Sequence, residues 1–100
     1  MPAVRKLDGD CPKGVLAIYD DPRTGDRYTV FYKELISDGW IGYRAMSSNP
    51  FDPHGIGLYG EMEASYVSAY RYRNRHRACR WSDLPEKVQR CVHQDLSVGG

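Results

Sequence analysis

The sequence predicts an α+β fold, a three- to four-stranded antiparallel meander with a C-terminal helix packed on one face. Three observations carry that prediction. Residues 27–35 read RYTVFYKEL, which sets Tyr28, Val30 and Tyr32 on one side and Arg27, Thr29, Phe31 and Lys33 on the other, the two-residue period of a strand. Turn-forming residues separate this run from similar runs before and after it. Near the C-terminus, apolar residues recur at three- and four-residue spacing behind a helix-start signal.

The 100 residues are expected to form one domain, 1–100, with a loose N-terminal arm over 1–12 and fraying over 97–100. Val15 to Tyr19 (VLAIY) is a short apolar run of strand formers, and Pro22 and Gly25 supply the backbone angles of the turn that follows. With residues 27–35 it makes a hairpin. Asp38-Gly39 marks a second turn. Trp40 to Met46 (WIGYRAM) is then a third strand, with Ile41, Tyr43 and Ala45 facing away from Trp40, Gly42, Arg44 and Met46.

Ser47 to Glu61 (SSNPFDPHGIGLYGE) holds two prolines and three glycines, which oppose a continuous helix or central strand. Phe51, Ile56, Leu58 and Tyr59 are too apolar for a solvated linker. The stretch is therefore expected to be an ordered loop, anchored by Phe51 and Tyr59 and presenting Asp52 and His54 outward. Residues 62–70 are open between one or two helical turns and irregular chain. In RYRNRHR, residues 71–77, arginine stands at every second position, which in extended chain puts four arginines on one face. Residues 78–81 are a candidate fourth strand. Ser82-Asp83-Leu84-Pro85-Glu86 is the helix start, and Leu84, Val88, Cys91, Val92 and Leu96 form the apolar stripe of the helix behind it.

Fourteen Lys and Arg against thirteen Asp and Glu give a net charge of +1 that conceals an asymmetry. Residues 1–68 hold seven bases and ten acids (−3), residues 69–81 five bases and no acid (+5), and residues 82–100 two bases and three acids (−1). One basic segment on a mildly acidic body argues against acidic mimicry of nucleic acid. Three widely spaced cysteines without a CxxC pair indicate neither a disulfide framework nor a zinc knuckle; Cys79 and Cys91 are read as core residues. No apolar run approaches the roughly twenty residues of a membrane helix, so a cytoplasmic protein without membrane association is expected.

Asp52, His54 and Glu61 include metal-ligand and acid/base types, but they lack a third ligand at a suitable spacing and any nucleophile motif. Gly55, Gly57 and Gly60 lack the lysine and following helix of a phosphate-cradling loop. No catalytic residue, metal, cofactor or small-molecule substrate is assigned. The stronger signal is Tyr70, Arg71, Tyr72, Arg73, Arg75, Arg77 and Arg80, with His76 and Trp81 among them: guanidinium forks interleaved with rings. Such a segment suits an acidic protein surface, RNA or single-stranded DNA; alternatively it is a solvated strip that balances the acidic body. The eight tyrosines read first as half-buried strand residues, with a binding face as the alternative.

Three blocks together, DRYTVFY at 26–32, YRAMSSNPFDPHGIGLYGE at 43–61 and WSDLPEKVQRCVHQDL at 81–96, resemble a group of small uncharacterised proteins of phages, plasmids and other bacterial mobile elements. In that group a strand with an Arg-Tyr-Thr core, an MS-x-NPF-x-P-x-G-x-G loop and a closing F/W-x-DLP-x-x-V helix follow one another. The arginine-rich stretch before Cys79 departs from the group's pattern. The resemblance implies a mobile-element setting and, with it, a non-enzymatic protein that binds a host protein or ribonucleoprotein complex. Anti-CRISPR and other anti-defence inhibitors are the pertinent class.

Overall fold

The computed structural model describes residues 11–23, 27–46 and 57–98. Four strands, β1 (Val15–Asp20), β2 (Tyr28–Ser37), β3 (Trp40–Met46) and β4 (Gly57–Glu63), pair in the order β1-β2-β3-β4, antiparallel throughout. Two helices follow, α1 (Ala64–Arg73) and α2 (Glu86–Val98). The architecture is the α+β meander expected from the sequence. Among the described residues no helix is long and apolar enough to cross a membrane.

The fourth strand is not the one expected. It is built from the second half of the Pro- and Gly-rich stretch, Gly57 to Glu63, and residues 78–81 contribute a single bridge, Ala78 to Tyr19. Gly60 shows why the glycines do not forbid a strand here: a Cβ at Gly60 would lie 2.8 Å from the Tyr43 hydroxyl, so its absence makes room for the Tyr43 ring on the neighbouring strand. Phe51, Asp52 and His54 lie outside the described residues. At the β2–β3 turn Gly39 has a positive φ of 82°, the conformation that Asp-Gly turns require.

Both faces of the sheet are covered, and the packing explains the alternation. Tyr28, Val30 and Tyr32 of β2 join Val15, Ile18 and Met46 beneath α2, whose Val88, Cys91 and Val92 are buried as the apolar stripe predicts. Leu84 precedes them and Leu96 packs at the margin. The opposite side of β2 is not a solvated face: Phe31 is 0% exposed, packed with Ala17, Tyr19, Val67 and Ala78. A bulge between Val15 and Ala17 lets β1 serve both sides. Two residues of β1 advance there against one of β2, so Val15 and Ile18 share the α2 face while Ala17 and Tyr19 turn to the other.

The second face is closed by α1, which corrects the extended reading of RYRNRHR. Residues 64–73 are helical and Arg75–Arg77 form a short 3-10 turn. Alternating arginines carried no strand information, because the residues between them, Tyr72, Asn74 and His76, are not core-forming. The burial of Val67 and the docking of Tyr70 set the conformation instead. Arg71 and Arg73 fall in the last turn of α1, where positive charge favours the helix dipole.

Three smaller boundaries differ from expectation. Asp83 closes a 3-10 turn (Trp81–Asp83), accepting the Arg80 backbone N–H at 2.9 Å, while α2 begins where the Pro85 carbonyl receives the N–H groups of Val88 and Gln89. The last helix continues through Ser97 to Val98. Cys11, placed in the loose arm, packs against the core, and none of the three cysteines is in a disulfide.

A sheet covered on both sides makes a definite prediction. Phe31→Ala should cost about 3–5 kcal/mol in urea unfolding, as a buried Phe truncation does. A cost below about 1 kcal/mol, as expected of a surface site, would contradict the closed second face.

Candidate binding surface

Helix α1 has an inner and an outer side. Val67, Tyr70, Arg71 and Asn74, at three- and four-residue spacing, turn toward the sheet and are buried or half-buried. Tyr70 stands edge-on to Tyr19 at 5.3 Å and to Phe31 at 5.1 Å between ring centroids. Arg71 lies beside the Tyr19 hydroxyl; burial raises the Tyr19 pKa, and Arg71 pulls it the other way. The outer side carries Tyr66, Tyr72 and Arg73, all exposed, the tyrosines at 63% and 69%. Tyr66 was missed in the sequence, yet a tyrosine one position from the buried Val67 is already off the inner stripe.

The seven residues singled out from Tyr70 to Arg80 therefore do not act as one strip. Tyr70 is a packing residue. Arg77 reaches the Asp21 carboxylate at 3.4 Å, and Arg80 reaches Asp83 at 3.8 Å. Asp21 is gripped more closely by Arg23, and its pKa is lowered to about 2, first by the Arg23 hydrogen bonds and to a lesser extent by the charge of Arg77. Arg71, Arg73 and Arg75 have no acidic partner among the described residues. The Arg75 guanidinium lies over the Tyr72 ring at 4.3 Å and donates to the Tyr72 carbonyl at 2.6 Å. Stacking holds Arg75 against an exposed ring without neutralising it. The surface that can receive an anionic group is thus Tyr66, Tyr72, Arg73 and Arg75.

Tyr59, the remaining described site residue, sits on β4 at 43% exposure. It does not anchor a loop in the core; Arg44 lies over its ring at 5.2 Å. Arg44 in turn leads to a polar cluster that sequence reasoning missed. The Asp95 carboxylate of α2 accepts Arg44 Nε at 2.9 Å and Nη2 at 2.5 Å, and the Tyr32 hydroxyl at 2.5 Å. Burial, reinforced by the bond to Asp95, pushes the Tyr32 hydroxyl well above the tyrosine range. Cys91, one turn earlier on α2, is also pushed up by burial, so its thiol is a poor nucleophile. One signal for this cluster was present in the sequence. An aspartate in the last turn of a helix opposes the dipole and calls for a specific cation.

With both Asp95 oxygens engaged, the cluster ties α2 to β2 and β3. Compared with known proteins, the chain matches no family model, no curated protein and no solved structure.

Asp95→Ala strands three donors at once, Arg44 Nε and Nη2 and the Tyr32 hydroxyl, and should lower stability by about 2–3 kcal/mol, whereas Tyr32→Phe, which leaves the ion pair, should cost about 1 kcal/mol. Urea unfolding at pH 7 measures both. Equal costs would contradict a network centred on the carboxylate.

Proposed function

We propose that this is a non-enzymatic interaction protein of a phage or other mobile element, which binds and inhibits or modulates a bacterial host factor of the defence class targeted by anti-CRISPR and related inhibitors. The observation that carries the reading is the outer side of α1. A ten-residue helix that buries Val67 alone exposes two tyrosines and an arginine, with Arg75 stacked beside them. Tyr and Arg are the residues that dominate binding energy at protein interfaces, because they carry large contact area with a directed polar end.

The charge of this surface selects the partner's chemistry. Arg73 and Arg75 lack acidic partners among the described residues, and residues 69–81 contain no acid. An acidic patch on a host protein or ribonucleoprotein complex is the complementary surface. The resemblance to mobile-element proteins supplies the setting, and a bacterial cytoplasmic location follows from it. Phe51, Asp52 and His54 stay in the proposal as a second contact region with Tyr59.

A second reading, an accessory protein binding RNA or single-stranded DNA, is favoured by the same pairing of guanidinium groups with exposed rings. Salt separates the two. Phosphate binding weakens log-linearly with ionic strength, with a slope set by the phosphates neutralised.

Arg73→Glu combined with Arg75→Glu should abolish partner capture from a bacterial lysate while circular dichroism remains that of the parent and stability in urea unfolding falls by no more than about 1–2 kcal/mol, the cost of an acid in the last turn of α1. Tyr72→Ala alone should weaken capture about tenfold or more. Capture unchanged by the double substitution would remove α1 from the account. A gel shift at low salt that appears with the parent and disappears with the double variant would instead establish the nucleic-acid reading.

A further inference from the structure

The two edges of the sheet are treated differently. The outer edge of β1 is covered: Ala78 bridges Tyr19, and the Cys79 N–H donates to the Ile18 carbonyl at 3.0 Å. At the other edge, β4 pairs with β3 alone, and among the described residues nothing bonds to its outer side. Seven residues of β4 follow β3 in continuous register, from Trp40 opposite Glu63 to Met46 opposite Gly57, without a bulge. The strand holds no proline and no lysine. Bulges, prolines and charged side chains are the usual means by which a sheet edge is made unfit for pairing, and of these β4 carries only the acidic Glu61 and Glu63.

The register identifies the free backbone groups. The Ala64 N–H donates to the Gly39 carbonyl at 2.8 Å, which makes Gly39 and Ala64 a hydrogen-bonded pair. In an antiparallel ladder such pairs alternate with non-bonded ones. Ile41 with Met62, Tyr43 with Gly60 and Ala45 with Leu58 are then the bonded pairs. Gly57, Tyr59, Glu61 and Glu63 turn their N–H and C=O groups outward. Tyr59, Glu61 and Glu63 are also exposed and, being two apart, share one face of the sheet.

We propose that the β4 edge is a second binding site, which takes an extended basic segment of a partner protein as a fifth strand. Backbone bonds to Tyr59, Glu61 and Glu63 supply the pairing, and lysine or arginine at alternate positions of the segment face the two glutamates. The glutamates also set specificity. Self-pairing of β4 in a second copy brings four carboxylates to one strip, and an acidic strand meets the same repulsion. This site is built on β4 from residues other than those of the α1 surface and has the opposite charge, so either one can fail without the other.

Amide hydrogen exchange of the full chain, with and without a capped nine-residue peptide alternating lysine and valine, tests the site. Saturating peptide should slow exchange about tenfold at Tyr59, Glu61 and Glu63 and leave Leu58, Gly60 and Met62, already bonded to β3, unchanged. Glu61→Pro, which removes one outward N–H, should abolish the effect. Glu61→Lys with Glu63→Lys keeps the backbone intact and should transfer the response to a peptide alternating glutamate and valine. The proposal is overturned if the lysine peptide protects none of the three amides or if both peptides protect the parent equally. It is also overturned if sedimentation shows a dimer in which these amides are protected without peptide. Arg73→Glu with Arg75→Glu should leave the peptide response intact.

Discussion

The packing of Tyr70 on Tyr19 and Phe31 decides where α1 lies on the sheet. It brings one ring from α1 into edge contact with rings from β1 and β2, and Phe31 continues the cluster to Tyr43 on β3 at 5.8 Å. Each such pair adds roughly 0.5–1.5 kcal/mol beyond the area it buries. The cluster does what α1 cannot do by sequence alone. The helix has no side-chain cap at its start and only one fully buried residue, so its orientation comes from where Tyr70 docks. Fixing the inner side fixes the outer side, and Tyr66, Tyr72 and Arg73 then face solvent as a group.

The opposite face of the sheet is held by a different kind of interaction. There α2 lays an apolar stripe on the sheet and is pinned near its C-terminus by Asp95, which joins Arg44 and Tyr32 through one carboxylate. An apolar contact alone tolerates sliding along the helix axis. A bidentate guanidinium pair does not, because its two bonds fix distance and angle together. The consequence reaches β4, since the same Arg44 lies over Tyr59. Arg73 of α1 and Glu61 and Glu63 of β4 are outward groups of opposite sign.

Much of this was legible in the sequence. Local signals sufficed where one turn or one period decides the structure: Asp-Gly at 38–39, the alternation of β2 and the stripe from Leu84 to Leu96 all appear as expected. They failed where a distant partner decides. Gly57 to Glu63 reads as loop from its glycines, but Tyr43 on the neighbouring strand makes Gly60 a required small residue. Residues 71–77 read as extended from alternating arginines, while the docking of Tyr70, three positions after Val67, gives the segment its helix. Phe31 reads as half of an open face because nothing nearby reveals that α1 returns to cover it. The division of the basic segment is not legible in the sequence where Arg77 meets Asp21, a partner that only the folded chain brings near; Arg80 and Asp83 are three residues apart.

In the proposed mode of binding α1 offers its outer side to a partner while its inner side holds the sheet closed. Site-specific photo-crosslinking in bacterial cells that express the protein tests this mode of binding most directly, with a photoreactive phenylalanine analogue placed at Tyr66, at Tyr72 or, on the exposed surface of α2, at Arg90. Cross-links to one and the same macromolecule from positions 66 and 72, and none from 90, are the predicted result. Cross-links from position 90 with none from 66 or 72 would contradict the account.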